Sequence, residues 1–167
     1  LAVRAGATLH EHTPVSEIVE HARGVIVTTP RATVSADRVV LATNAYTPAL
    51  GLRTGGVVPM RDSQFVTEPL TDEQLARVGW RGGEGIYTVH ESLENYRQTA
   101  DGRIVGGSRY VTYEMGSRLG PDHAPKAFAA IEARFRDRFP ELHDVALAGC
   151  WSGHVAMNLN FVPYIGP

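Results

Sequence analysis

Residues 36–46 have the sequence ADRVVLATNAY, an apolar run that ends abruptly in small and polar residues. The part from Val39 to Ala42 is continuous rather than alternating and β-branched at its start, which predicts a strand buried on both faces. Residues 43–45 follow as a loop at the carboxyl end of that strand. Ligands of open α/β sheets bind outside such ends, so a cofactor could approach the backbone here. Ordinary structural strands show the same pattern, so it does not decide the function by itself.

Upstream of this run, short segments joined by tight turns predict a small antiparallel β-meander. Its strands are expected at 15–22, 25–29 and 33–35, with Gly24 turning the chain between the first two. Residues 7–13 alternate in polarity and predict a further strand. The first residues fit the last turn of a helix that ends at Gly6.

Downstream, a Gly-rich passage over residues 50–56 indicates the crossing into a second domain. The pattern there predicts an antiparallel or mixed sheet backed by a helix, which is an α+β fold. Thr71 is a good N-cap for a short helix to Val78, and Phe128, Ile131 and Phe135 form the apolar stripe of a longer one. The predicted strands are 57–67, 85–90, 94–99, 103–107 and 145–157, and the longer helix is 125–139.

Composition and charge argue against a nucleic-acid-binding or membrane-spanning protein. The 167 residues are 43% hydrophobic and 20% charged, and a formal net charge of -2 gives no basic field for nucleic acid. No apolar stretch approaches the roughly 18 residues that cross a bilayer, and no signal peptide is visible, so we expect a cytoplasmic protein. The single cysteine, Cys150, fits a reducing compartment and is expected to be buried and inert.

The two ends of the sequence suggest a piece of a longer protein. The chain starts without Met and stops at Gly166-Pro167, directly after an apolar segment. We therefore expect it to be the central part of its parent.

Three candidate sites are weak on pattern alone. His10 and His12 share a strand face in the prediction, but no third metal ligand is close in sequence, so a solvated face is favoured and no metal is expected. Ser152 stands one place late for the nucleophile elbow of a hydrolase, and no helix follows it. No glycine cluster has both the spacing and the following helix of the dinucleotide fingerprint.

In chain order, several segments resemble one known family. They are 6–9, 13–18, 36–46, 57–61, 96–107 and 151–153. Together they resemble the D-amino-acid-oxidase-like (DAO) family of FAD-dependent oxidoreductases, and within it amine-oxidising members similar to gamma-glutamylputrescine oxidases. The resemblance covers the whole chain but only the middle of the family.

The resemblance implies FAD-binding and substrate-binding positions. Val15 matches a position beside the adenosine half of FAD, and Ala42, Thr43 and Asn44 match the loop near its phosphates. Trp151 and Gly153 lie on one strand face and match the strand that passes the flavin ring, although plain core is the alternative for Trp151.

Three further residues match segments around the family's substrate cavity. Tyr96 and Arg97 match the segment that lines it, closed by Gly106-Gly107. Arg61 is a second candidate for a substrate carboxylate, with a surface arginine as the alternative. Residues 158–161 depart from the family's usual Thr and Asp, which puts substrate contacts there in doubt.

By this resemblance, residues 1–48 are part of an FAD-binding domain containing the meander and one strand of a Rossmann-like core. Residues 49–157 are a substrate-binding domain, and 158–167 begin the return. The parent is expected to oxidise the C–N bond of a small amine or amino acid by hydride transfer to FAD and then to O₂. The alternative is a catalytically silent, flavin-free fragment that acts at most as a binding module. The phosphate cradle of the family is missing, so FAD is not expected to remain on this chain alone.

Overall fold

A computed structural model describes residues 1–89, 94–107, 110–114, 119–120, 124–158, 160, 162–163 and 165. The described strands form two separate sheets. The first is the predicted meander, and its three strands pair in sequence order, each antiparallel to the next. Its strands are Glu17–His21 (β1), Gly24–Thr28 (β2) and Thr33–Ala36 (β3).

Gly24 starts β2 because no other residue fits there. Its φ is 134°, and a Cβ would lie 2.5 Å from the carbonyl oxygen of Ala36. The glycine therefore sets both the turn and the close approach of β2 to β3.

The run that follows β3 is not a strand. Residues 37–43 have no regular structure, and Val40 is 89% exposed. The prediction of a doubly buried strand at Val39–Ala42 is therefore wrong in this structure. A strand of that kind requires neighbours that take its backbone hydrogen bonds and cover its side chains, and no strand in the described ranges pairs with it. The expected remnant of a Rossmann-like core is accordingly not confirmed in the described part of the chain.

The N-terminal segment gives a second correction. Residues 7–13 form no strand, and His12 sits in a turn with φ 51°. The short 3₁₀ helix Val3–Ala5 does end at Gly6 in the left-handed conformation, as predicted. Another 3₁₀ helix, Asn44–Leu50, was not predicted and contains Pro48.

The second sheet is built around one long strand. Its described strands are Val58–Thr67 (β4), Ile86–Tyr87 (β5), Asn95–Gln98 (β6), Ile104–Gly107 (β7), Thr112–Tyr113 (β8) and Leu147–Met157 (β9). The long strand is β4, which pairs with β9 along its whole length, and its other edge is shared by β7 and β8. The strands β5 and β6 extend the sheet beyond β7, and every pairing of these strands is antiparallel.

One face of this sheet is covered by the helix Pro125–Arg138 (α2). The residues of β4 alternate between buried and half-buried, so every second side chain points under the helix. Ile131 and Phe135 of the predicted stripe are fully buried. The core beneath α2 contains Phe65, Leu70, Trp80, Tyr96, Ile104, Ile131, Phe135, Phe139, Leu142 and Val145.

Side-chain hydrogen bonds hold an end of each α-helix in place. Thr71 caps Asp72–Val78 (α1): its hydroxyl accepts from the Gln74 N–H, and the Gln74 side chain accepts from the Thr71 N–H. At the end of α2, Arg138 donates to the buried Glu94 carboxylate at 2.9 Å. A 3₁₀ turn, Pro140–Leu142, then leads to β9.

The architecture of the described residues is α+β, in agreement with the fold class expected from sequence. None of their helices combines the length and the apolar character needed to cross a membrane.

Candidate functional site on the two faces of the β4–β9 sheet

The register of β4 and β9 sorts the candidate residues onto two faces. Residues directly opposite one another in an antiparallel pair point to the same side. Arg61 is opposite His154 and Ser63 opposite Ser152, and these four lie on the face that α2 covers. Their neighbours in sequence lie on the other side of the sheet, which we call the open face. Its residues in these two strands are Val58, Met60, Asp62, Gln64, Val66, Gly149, Trp151, Gly153, Val155 and Met157.

Arg61 is buried on the helix side in a polar cluster. It donates through Nε and Nη2 to Glu114 Oε1 at 3.2 and 3.1 Å, and through Nη1 to Ser152 Oγ at 3.1 Å. Its Nη2 also lies 2.9 Å from His154 Nε2. The surface location weighed from sequence is thus incorrect. The guanidinium is occupied by these partners, which hold β4, β9 and the segment after β8 together.

The sequence missed the other members of this cluster. Sequence analysis weighed Ser152 only as part of a hydrolase motif and assigned no role to His154 or Glu114. The alternation of β9 signalled that Ser152 and His154 share a face, but it gave no sign of their partner. Glu114 lies in an irregular segment 53 residues from Arg61, a pairing that local pattern does not reveal.

A cavity of about 350 Å³ lies beside Arg61 on the same face. Its wall includes Ser63, Tyr110, Thr112 and the start of α2. The sheet separates this cavity from the open face, so a ligand in it would not reach Trp151 or Gly153.

Tyr96 and Arg97 are adjacent in β6 and therefore point to opposite faces. Tyr96 is 1% exposed within the core, and its ring meets Phe139 edge to face at 5.1 Å. Burial and the nearby Glu94 carboxylate raise the pKa of Tyr96 to about 12. Tyr96 and Arg97 cannot line one surface, and the expectation that they do so together is corrected accordingly.

Arg97 belongs to the open face. Its strand register continues through Val105 of β7 to Val66 of β4, which places it on the same side as Trp151. Its side chain is exposed and has no hydrogen-bond or ion-pair partner among the described residues. Arg97 is therefore available to an anionic group.

Trp151 and Gly153 give the open face its shape. Trp151 is 45% exposed, and a Cβ built on Gly153 would meet no atom within 4 Å. A half-exposed indole beside bare backbone is a surface that a flat ring can lie against. These two residues fit the flavin ring that the resemblance implies.

Asp62 is the open-face residue that sequence analysis overlooked. It stands opposite Gly153, next to the pair formed by Gln64 and Trp151. Its oxygens accept from the Ser63 N–H at 2.9 Å and from Gln64 Nε2 at 2.8 Å. Burial raises the pKa of Asp62, against the opposing effect of these hydrogen bonds. Strict alternation from Arg61 would have placed this carboxylate on the open face.

The residues matched to the adenosine and phosphate half of FAD lie elsewhere. Val15 is half-buried just before β1, and the Thr43 hydroxyl is 2.8 Å from that of Thr47. Asn44 has a φ of 47°, and its side-chain amide forms hydrogen bonds with the edge of β9. It donates to the His154 carbonyl at 3.1 Å and accepts from the Ala156 N–H at 2.8 Å. Residues 42–44 therefore form no strand-end loop here, and their fit to phosphate rests on the resemblance alone.

The described residues contain no group of three or more His, Cys, Asp or Glu that could hold a metal ion. His10 and His12 are exposed and lie on no strand, with His12 in a turn. Cys150 is half-buried on the core side, where burial raises its thiol pKa. That shift disfavours the reactive thiolate, in keeping with an inert cysteine.

With the geometry established, comparison with known proteins shows what the chain is similar to. All 167 residues match the family described as DAO, FAD dependent oxidoreductase. The curated "Probable oxidoreductase OrdL" of Rhizobium meliloti is 27% identical over 98% of this chain. The gamma-glutamylputrescine oxidoreductase of Escherichia coli is 28% identical over 96% of it. The chain spans 36% of the length of each of these two relatives.

A solved structure shares the fold. Glycine oxidase from Geobacillus kaustophilus superposes with a TM-score of 0.77 over 99% of this chain and 42% of its own, at 20% sequence identity.

Proposed function

This chain belongs to the DAO family of FAD-dependent oxidoreductases, and from that premise we propose that the protein carrying it oxidises the C–N bond of a small amine or amino acid. The observation that carries the proposal is the open face, where Trp151, Gly153 and Arg97 share one side of the sheet. A substrate must meet its cofactor, so residues that serve the two must lie on one face.

The relatives support this reaction class. One is named for an amine substrate, gamma-glutamylputrescine, and another, from Methylobacterium nodulans, is a D-amino acid dehydrogenase that is 30% identical over 80% of this chain. Because the chain covers about a third of their length, the activity of the whole protein is our proposal rather than a property of these residues alone.

Within the proposal, the chain supplies surface and charge. Trp151 and Gly153 support the flat ring of the flavin, and Arg97 attracts a carboxylate of the substrate through charge-assisted hydrogen bonds. Bound FAD would supply the oxidation itself, accepting a hydride from the carbon that bears the amine and passing the electrons to O₂. Residues 49–157 form the substrate-binding part, and residues 1–48 belong with the cofactor domain.

A second candidate is a flavin-free, catalytically silent binding module. The observation in its favour is the exposed, unpaired run at residues 37–43, where a cofactor-binding strand was expected. It differs from the first in predicting no visible absorption under any condition.

An anaerobic titration of the full-length protein separates the two. We expect a flavin absorption spectrum that bleaches when a primary amine or amino acid is added and recovers in air with release of hydrogen peroxide. A full-length protein without flavin, or a flavin that no amine bleaches, would contradict the proposal.

A further inference from the structure

Asp62 is a half-buried carboxylate with no counter-ion among the residues that the structure describes. Its two oxygens receive hydrogen bonds from Ser63 N–H and Gln64 Nε2, both neutral donors. No arginine, lysine or histidine of the described residues forms an ion pair with it. Burying an ionised carboxylate costs free energy unless a cation compensates it.

The position of Asp62 shows where such a cation would come from. Gly153 stands directly opposite on β9 and has no side chain to cover the carboxylate. Cross-strand neighbours of this kind lie about 5 Å apart. The carboxylate therefore opens onto the same surface as Trp151, with bare backbone beside it.

We infer that Asp62 is the residue that binds the cationic ammonium group of the substrate, which makes the ligand of this face a protonated amine. The inference rests on the proposed function and adds a substrate-binding residue to it. Gln64 is a positioning residue, because it orients the carboxylate from the same strand. Burial favours the neutral form of Asp62, and an ammonium ion against it restores the ionised form. Hydride can leave only from the carbon of a neutral amine, so the bound ammonium gives its proton to the Asp62 carboxylate or to solvent before the oxidation.

The second charge on the described strands of this face is Arg97. It is aligned with Val66, four residues from Asp62 along β4 and two strands away. At about 3.3 Å per residue and about 4.8 Å per strand, the two Cα atoms are about 16 Å apart. Arg97 is therefore too distant to neutralise Asp62, and a substrate that contacts both residues must carry its carboxylate remote from its ammonium group.

The test is equilibrium binding, measured by anaerobic calorimetry on the full-length protein. The probes are n-butylammonium and the neutral n-butanol, which have similar length and differ in charge. We expect Asp62→Asn to weaken n-butylammonium roughly tenfold to a hundredfold and to leave n-butanol unchanged. Asp62→Glu should restore part of the preference for the cation, and Asp137→Asn on the solvent side of α2 should change neither probe.

Equal loss of both probes in Asp62→Asn, or no loss of either, would overturn the inference. Should Asp62→Asn fail to fold, Gln64→Met provides a second route. It removes the side-chain hydrogen bond that orients the carboxylate, so a selective loss of n-butylammonium binding is expected and an unchanged preference would be contradictory.

The outcomes for the inference and for the proposed function are separable. Selective ammonium binding with no flavin bleaching would reject the oxidase and keep Asp62 as an amine-binding residue. Flavin bleaching by amines, together with an Asp62→Asn variant whose affinity for n-butylammonium is unchanged, would keep the oxidase and reject Asp62 as the amine-binding residue.

Discussion

Gly106 lies between two aromatic rings of the core, and its missing side chain is a packing requirement. A Cβ there would stand 2.6 Å from Tyr96 Cδ1 and 2.7 Å from the carbonyl oxygen of Asn95. The second of these atoms is backbone of the neighbouring strand, which cannot move without breaking the β6–β7 pairing. Tyr96 is thus a packing residue of the core, and its ring occupies the space next to Gly106.

We expect Gly106→Ala to destabilise the fold by about 1–3 kcal/mol, as overpacked cores do. Urea unfolding would measure it. The matched control is Gly149→Ala in β9, where a Cβ meets nothing within 4 Å and φ is not left-handed. An equal response in both variants would show that the glycine at 106 is not required by packing.

The assignment of single residues to faces could have been made from sequence. Once β4 and β9 are recognised as strands, alternation separates Arg61 from Asp62 and Ser152 from Trp151. What the pattern could not supply is Glu114, whose contact with Arg61 joins distant segments. For the same reason it could not show that Arg61, predicted to bind a substrate carboxylate with a surface location as the alternative, is buried among protein partners.

At the scale of elements, α2 holds the sheet through the stripe recognised in the sequence. Phe135 is completely buried, with its ring centroid 4.9 Å from that of Phe65 in β4 and 5.6 Å from that of Phe139. Phe135→Ala should cost about 3–5 kcal/mol, because it leaves a cavity between helix and sheet.

The control for this helix is Arg134→Ala on its exposed side, which should cost less than about 0.5 kcal/mol. Guanidinium unfolding curves of the two variants give the comparison. An unchanged midpoint in Phe135→Ala would contradict the packing of α2 on the sheet.

The short helix α1 is joined to the turn before β9 by charge. Arg77 donates to both oxygens of Asp144 at 3.2 and 2.9 Å, and Gln74 adds a third contact at 3.2 Å. The hydrogen bonds from Arg77, with that from Gln74, lower the pKa of Asp144 to about 2. Because the folded pKa is below the unfolded value, this stabilisation is present above about pH 4 and is lost as the pH falls towards 2.

Asp144→Asn should therefore reduce the free energy of unfolding at pH 5 and have little effect near pH 2. Arg77→Gln should reduce the difference in the free energy of unfolding between pH 5 and pH 2, because it removes the principal hydrogen-bond partner of Asp144. Urea midpoints at the two pH values test this, and a destabilisation by Asp144→Asn that is the same at both would refute the linkage. The pair is exposed, so the effect is modest.

The elements that sequence predicted correctly are those whose signals are local. The N-cap Thr71 of α1 and the apolar stripe of α2 each follow from residues close together in the chain. The strand expected at Val39–Ala42 failed because a doubly buried strand depends on neighbours that local sequence does not contain. The 3₁₀ helix from Asn44 was missed because its anchor, the edge of β9, is 110 residues away.

At the scale of the whole molecule, the open face is the surface that we propose for the flavin ring, and the sequence contains no glycine cluster with the spacing and the following helix expected of a pyrophosphate-binding turn. Such a turn and the helix behind it bring backbone N–H groups to the phosphates. We expect the 167-residue chain, purified alone, to carry far less than one FAD per chain. A visible absorption spectrum measures this directly, and a yellow preparation with stoichiometric flavin would show that the missing cradle is not needed.

The central claim is that the open face of the β4–β9 sheet is where the substrate meets the flavin. Arg97 tests it most directly, because it is on that face while Arg61, also proposed from sequence, is on the other. The measurement is kcat/KM of the full-length holoprotein for an amine that bears a carboxylate and for its neutral analogue, in Arg97→Ala and in the control Arg134→Ala. We predict that Arg97→Ala lowers the value for the carboxylate-bearing amine by about 1.5–3 kcal/mol of transition-state stabilisation, leaves the neutral analogue unchanged, and that the control changes neither. An equal loss for both amines in Arg97→Ala, or no loss at all, would contradict the claim.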